Sequence, residues 1–203
     1  MGEYFNELNL QHQTHACQRA LANAARITSI QQSDPQMKQL RELRGGDHAE
    51  VLQVYRRAVL SSSAKLYSSQ QRQAWALQAG NDNLTVPPSP QLLSCLQRGQ
   101  GLVSCAGDGR IAAFAVREPA DRLALLYCRP DQQRCGHGRA LIEAVEEQAR
   151  REGRQRLSTE ASLVSQPLLE RLGWQRSWQE ELMINGVLFR RFRLQKPLQP
   201  ILS

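Results

Sequence analysis

Gln133, Arg134, Gly136, His137, Gly138 and Arg139 stand together immediately ahead of an amphipathic stretch. Their types suit one kind of chemistry, the binding of an anion. The first N–H groups of a helix have no internal partner, and the helix dipole is positive at that end. Glycines at 136 and 138 let a ligand come close to the backbone. Helices commonly place Asp or Glu in the first turn. This one starts with His137, Gly138 and Arg139, and Arg134 precedes them, so its positive end is left for an outside anion.

The elements that must position this loop are legible on both sides of it. Residues 123–128 form an apolar run suited to a buried strand, and Arg129-Pro130-Asp131 breaks it. Beyond the loop, Leu141, Ile142, Val145 and Ala149 mark the buried side of a helix. Glu143, Glu146, Glu147, Arg150 and Arg151 are expected to face water. Glu146–Arg150 and Glu147–Arg151 are i,i+4 pairs in the favourable order, and Gly153 suits the left-handed position that ends a helix. Residues 156–161 read as a strand parallel to 122–128, reached through this helix. A short helix over 165–172 closes at Gly173. Strands over 174–183 and 187–195 then meet at Asn185-Gly186, the favoured two-residue hairpin turn.

Upstream, 38–43 reads as a first strand, and Asp47 as the N-cap of a helix over 47–61. Ser68-x-x-Gln71 has the form of a capping box ahead of a helix through Trp75 and Leu77. Prolines 87, 88 and 90 stiffen a loop over 80–90, a short helix follows over 91–97, and 102–106 with 110–117 form a hairpin across Gly107-Asp108-Gly109. Antiparallel strands, one strand–helix–strand crossover and a terminal strand pair give an α+β fold. Its sheet is mixed but mostly antiparallel, with helices on both faces.

Composition narrows the class. The chain has 203 residues and a formal net charge of +7, which suits one soluble domain with an appendage. The apolar runs are too short to span a bilayer. Glu3 and Glu7 stand where a secretory signal would need a hydrophobic core. Five cysteines without C-x-x-C spacing argue for reduced thiols in a cytoplasmic setting. The arginines are spread over several elements without interleaved aromatics, which does not favour nucleic acid. A P-loop would need Lys-Ser/Thr after its last glycine. A dinucleotide fingerprint would need a third glycine where Leu141 stands. His12 and His15 have helical spacing but no third ligand nearby, so no metal site is expected. Residues 1–36 are rich in Gln, Asn, Ala and His, with a weak helix expected over 14–27, and Met37 reads as the natural start of the domain over 37–198. Residues 199–203 are a tail.

Gln133-x-x-Gly136-x-Gly138 resembles the Q/R-x-x-G-x-G/A motif of the GNAT N-acetyltransferases. The resemblance continues through Thr159-Glu160-Ala161-Ser162, Glu170-Arg171-Leu172-Gly173-Trp174 and Gly186-Val187 to Lys196-Pro197-Leu198. It implies the GNAT fold and acetyl-CoA as cosubstrate, with no metal. The partner would be an amine-bearing small molecule or protein, and a homodimer is allowed. The pantetheine arm would pair with backbone groups of Leu126, Tyr127 and Cys128. The pyrophosphate would lie on the stretch from Gln133 through Arg134, Cys135, Gly136, His137 and Gly138 to Arg139. Cys128 and Cys135 read as small neutral side chains beside the cofactor. Tyr67 and Trp75 resemble part of a helical arm that shapes the acceptor side in one branch of the family. Direct attack of an amine needs a base, for which Glu160 and then Glu118 are the candidates, both on the acceptor side. Relatives often read Asn-x-x-Pro-Phe-Tyr-Glu-Arg-Leu-Gly-Phe in the last helix, where the tyrosine protonates the departing thiolate. Here Val164 takes the asparagine position and Leu169 the tyrosine position. Tyr127 and Tyr67 are the substitutes for the missing acid. A non-catalytic acyl-CoA-binding protein is the alternative.

Overall fold

Strand β3 (Ile111–Arg117) is buried along its whole length, and the sheet is built outward from it. A computed structural model describes residues 38–198 other than 82 and 84. The extension expected over 1–36, its helix over 14–27 and the tail over 199–203 lie outside the described residues. The strands are β1 (Gln39–Glu42), β2 (Gln100–Cys105), β3, β4 (Arg122–Cys128), β5 (Arg156–Ala161), β6 (Gln175–Ile184) and β7 (Val187–Pro197). They form a seven-stranded sheet in the order β1-β2-β3-β4-β5-β7-β6. Neighbours are antiparallel except β4 and β5.

Among the described residues five α-helices cover the sheet: α1 (His48–Arg57), α2 (Ser69–Ala76), α3 (Pro90–Arg98), α4 (His137–Arg151) and α5 (Gln166–Arg171). Val51, Val54 and Tyr55 of α1 and Leu92 and Leu96 of α3 pack with Val103, Phe114 and Val116 on one face. Leu141, Ile142, Val145 and Ala149 of α4 and Leu169 of α5 pack with Ala113, Ala115, Leu123, Leu157 and Leu194 on the other. The capping box forms as expected, with the Gln71 N–H donating to Ser68 Oγ at 3.2 Å and the Ser68 N–H to Gln71 Oε1 at 3.0 Å. Asn185 and Gly186 both take positive φ, 48° and 75°, as a tight right-twisted hairpin demands. No helix among the described residues is long and apolar enough to cross a membrane.

Three local expectations change. Asp47 stands at the N-cap of the first helix, but its side chain does not cap that helix, and Gly45–Asp47 is a 3-10 turn. There the Asp47 carboxylate accepts from the Arg44 N–H at 2.8 Å and pairs with Arg41 at 2.6 Å. That helix also ends in a π turn, Ala58–Ser62, the wide turn that local strain or function tends to favour. Glu146, expected to face water, is only 3% exposed. Lys196 donates to both its oxygens, at 2.7 and 2.6 Å, and Trp174 Nε1 donates at 3.0 Å. Lys196 also donates to the Leu172 carbonyl at 2.7 Å. One buried carboxylate thus ties α4 to β7 and to the turn after α5. Glu146→Ala would strand the Lys196 ammonium and should cost ~3 kcal/mol, the low end for breaking a buried pair from one side. Chemical denaturation measures it, and an unchanged midpoint would contradict this role.

Candidate active site

The site begins with a break in strand pairing. β4 and β5 pair only through Arg122↔Ser158 and Leu123↔Thr159. On its other side β4 pairs with β3 as Arg117↔Leu123 and then Val116↔Leu125, so Ala124 is an extra residue in β4. A bulge of this kind bends its strand and raises the local twist. The Thr159 hydroxyl donates to the Leu123 carbonyl at 2.7 Å, at the last paired rung. Beyond it β5 stays with β7 as far as Ala161↔Phe192, while β4 stays with β3. The Arg129 N–H donates to the Ala112 carbonyl at 2.7 Å. Alternation along an antiparallel ladder then turns the backbone of Leu125 and Tyr127 toward β3, and that of Leu126 and Cys128 toward the gap. Of the three residues expected to offer backbone groups to a ligand, Leu126 and Cys128 have theirs facing the gap and Tyr127 has its own facing β3.

One cavity, of about 430 Å³, lies along this gap beside the glycine loop. Leu126, Tyr127 and Cys128, the loop from Gln133 to Arg139 (Cys135 apart), and Val164, Ser165 and Leu168 line it, with Ala58, Val59 and Ser62 of the π turn opposite. Gly136 is the N-cap of α4 at φ 86°, and no acidic residue stands in the first turn. Arg134 also takes a positive φ, 61°, a strained position for a residue with a side chain. Gln133 Nε2 donates to Ser62 Oγ and so pins the loop to the π turn. Arg139 lies near Glu143 at 3.6 Å, and Arg171 adds a further cation to the wall. Lys38 stands beside Gly136, where a Cβ would meet its Nζ at 3.2 Å. Cys135 is exposed, on the loop's outer side.

The side chain of His137 has a partner behind the loop. It is buried, and its Nδ1 shares a 2.8 Å hydrogen bond with Ser104 Oγ on β2. Burial, with Lys38 and Arg129 adding repulsion, holds its pKa below the ordinary value. It anchors the loop as a neutral ring and brings no charge to an anion. Burial pushes the Cys128 thiol up to about 11, which leaves it a neutral wall residue and not a nucleophile.

A second cavity, of about 530 Å³, has Tyr55, Tyr67, Trp75, Leu125, Tyr127 and Phe189 at its aromatic end and Arg122, Glu160, Arg190 and Arg191 among its polar lining. Trp75, Tyr127 and Ser162 line both cavities. Tyr127 packs on Tyr55 at 4.2 Å and meets Trp75 edge-on at 6.3 Å between ring centroids. Burial, partly opposed by hydrogen bonding from Tyr55 and Trp75, pushes its phenol up to about 12. The Tyr67 hydroxyl accepts from the Leu163 N–H at 3.0 Å, which holds the α2 arm to the segment after β5.

The two carboxylates expected to act as bases are placed differently. Glu160 lines this cavity, but Arg122 takes one of its oxygens at 2.7 Å and Arg193 takes the other. Glu118 lies at the far end of the β3–β4 hairpin, 3.7 Å from Arg98 and outside the lining of either cavity. Leu169 is 1% exposed within the core, and the residue of α5 on the wall of the first cavity is Leu168. Neither supplies a proton donor. The sequence reading missed Ser62, Lys38 and the arginines at 122 and 191. One signal was present for the last: Phe189, Arg191 and Arg193 alternate along β7 and so share one face.

Residues 67–196 match a family model described as an acetyltransferase (GNAT) domain. No curated protein matches the chain. Among solved structures, a GCN5-related N-acetyltransferase from Rhodopseudomonas palustris is similar with a TM-score of 0.71 at 24% identity, over 79% of this chain and 96% of that one. The PaiA N-acetyltransferase from Thermoplasma acidophilum, in complex with coenzyme A, is similar with a TM-score of 0.59 at 17% identity, over 79% and 98%. A phosphinothricin acetyltransferase from Sinorhizobium meliloti, in complex with AcCoA, gives 0.56 at 17%, over 82% and 94%. At these identities the likeness carries the fold.

The neutral His137 predicts a pH dependence of stability. Its pKa is lower folded than unfolded, so the unfolded chain takes up the proton first as pH falls. The contribution is complete above the unfolded value of about 6.5 and is lost as pH drops from there toward the depressed folded value. Melting temperatures between about pH 5 and pH 7 should fall more steeply in the wild type than in His137→Asn. Parallel profiles would contradict the assignment.

Proposed function

Because this chain belongs to the GNAT acetyltransferase family, we propose that it transfers an acetyl group from acetyl-CoA to a primary amine, with both substrates bound at once. The observation that carries this reading is the pair of cavities that share Trp75, Tyr127 and Ser162. One has the features of a site for a phosphorylated thioester, and the other can bring a nucleophile to the same junction.

The residues of the first cavity suit acetyl-CoA. The helix N-terminus with its two glycines takes the pyrophosphate, with Arg134 and Arg139 adding charge. The backbone groups of Leu126 and Cys128 pair with the amide-bearing arm as a further strand would. At the junction the amine nitrogen attacks the thioester carbonyl carbon. The C–N bond forms, the C–S bond breaks, and the nitrogen loses a proton to water. An N–H of the β4 edge stabilises the developing oxyanion.

Tyr127 keeps its proton at neutral pH, so it serves as a donor and not as a base. Full transfer to a thiolate whose thiol pKa is near 8.5 is uphill from about 12. We therefore assign Tyr127 a donated hydrogen bond to the departing sulfur, worth less than the ~10²–10⁴-fold of full acid–base catalysis. Glu160 has one oxygen taken by Arg122 and the other by Arg193, and we assign it to fixing those two arginines. A non-catalytic acyl-CoA-binding protein is the second reading, favoured by the apolar Leu169 where relatives often carry a tyrosine.

Thiol release from acetyl-CoA against a panel of amines, with calorimetry for CoA affinity, separates the two. The transferase reading expects amine-dependent release that Tyr127→Phe slows with CoA affinity intact. Gly136→Asp should abolish CoA binding, because it puts a side chain and a negative charge where the pyrophosphate lies. CoA binding without release on any amine would support the non-catalytic reading, and wild-type affinity in Gly136→Asp would sink both.

A further inference from the structure

Three arginines and one carboxylate line the second cavity, and their arrangement bears on what the acceptor must look like. Arg122, Glu160 and Arg191 of this lining belong to an ion chain across four strands, which Arg193 and Glu180 complete from outside the lining. Arg122 of β4 holds Glu160 of β5 at 2.7 Å, and Glu160 pairs with Arg193 of β7. Arg193 holds Glu180 of β6 at 2.9 Å, and Glu180 pairs with Arg191. The chain has one more cation than anions. Its charges are also unequally open. The side chains of Glu160 and Glu180 are 6% and 21% exposed, against 35% for Arg122 and 29% for Arg191. Glu160 is thus the covered partner of Arg122, and Glu180 is somewhat less open than Arg191.

Arg191 spends only its Nε, on Glu180. Its two terminal nitrogens have no protein partner among the described residues. A guanidinium with both terminal nitrogens open is the geometry that takes a carboxylate or phosphate in a forked pair. Arg190, next in the chain, lines the same cavity and has no ion-pair partner among the described residues. At the other end, Tyr55, Tyr67, Trp75, Tyr127 and Phe189 supply ring faces that suit an ammonium before it loses its proton.

We propose that the acceptor is a small amine carrying an oxyanionic group, a carboxylate or a phosphonate, with the nitrogen at the aromatic end and the anion on Arg191 and Arg122. This rests on the transferase reading. A polyamine fits poorly, since its distal cation would meet the open guanidiniums.

Matched acceptors test it. Amines of one carbon skeleton, ending in a carboxylate, a phosphonate, a carboxamide or a second amine, are compared by kcat/KM at saturating acetyl-CoA. At least tenfold preference for the carboxylate or the phosphonate is expected, and the better of the two identifies the oxyanion. Arg191→Gln should narrow that preference at least tenfold with an unchanged melting temperature. Equal use of the carboxamide, a preference for the diamine, or an unaltered preference in Arg191→Gln would overturn the proposal. Calorimetry of the same amines in the presence of CoA gives a readout that needs no turnover. Oxyanion-selective, Arg191-dependent binding without acetylation would defeat the transferase reading and uphold this one. Binding without selectivity would overturn this one.

Discussion

β4 and β5 share two rungs of hydrogen bonding and then part, and the rest of the site follows from that parting. A single extra residue, Ala124, bends β4 away at the point where the Thr159 hydroxyl closes the ladder on the Leu123 carbonyl. Backbone donors and acceptors cannot be left unpaired in a protein interior without cost. A strand edge in the middle of a sheet is therefore tolerated where something else will pair with it. Both flanks of the gap are held by full ladders, β3 on one side and β7 on the other. The opening is thus rigid and does not depend on a moving loop. The crossover helix α4 is fixed by Glu146 and Lys196 at one end and by His137 on Ser104 at the other. Its N-terminus is thereby aimed along the gap.

Charge is distributed to match. The glycine loop has no carboxylate of its own in the helix's first turn, and Arg134, Arg139 and Arg171 stand around it. On the far side the acidic groups pair with the guanidiniums and neutralise only part of their charge. Between these two positive regions lies an aromatic junction with little charge, where burial keeps the Tyr127 phenol protonated. An uncharged centre strengthens each hydrogen bond made within it.

Much of this was legible in the chain. The boundaries of β4 and β5, the glycine loop, the amphipathic α4 and the Asn185-Gly186 turn follow from period, breakers and turn chemistry. Each is set by residues within a few positions of one another. What escaped depends on partners distant in sequence. Glu146 reads as a surface carboxylate on its helix, because Lys196, which makes its burial tolerable, lies fifty residues on. Nothing near His137 in the sequence points to Ser104, thirty-three positions back on β2, as its partner. Glu160 reads as a base until two arginines, from β4 and β7, close on it. The bulge left no trace for a different reason. Leu123-Ala124-Leu125-Leu126-Tyr127 is apolar on both faces, so an inserted residue changes no polar–apolar alternation. The π turn at Ala58–Ser62 was hidden in the same way inside a helical pattern.

Hydrogen exchange of single β4 amides tests the central claim, that the parted strand is the surface on which the cofactor is read. In the free protein the N–H groups of Leu125 and Tyr127 are committed to β3, whereas those of Leu126 and Cys128 face the gap. Slow exchange is expected at Leu125 and Tyr127 with or without acetyl-CoA, and fast exchange at Leu126 and Cys128 that slows when acetyl-CoA is added. Slow exchange at Leu126 and Cys128 in the free protein, or no change there at saturating acetyl-CoA, would contradict it.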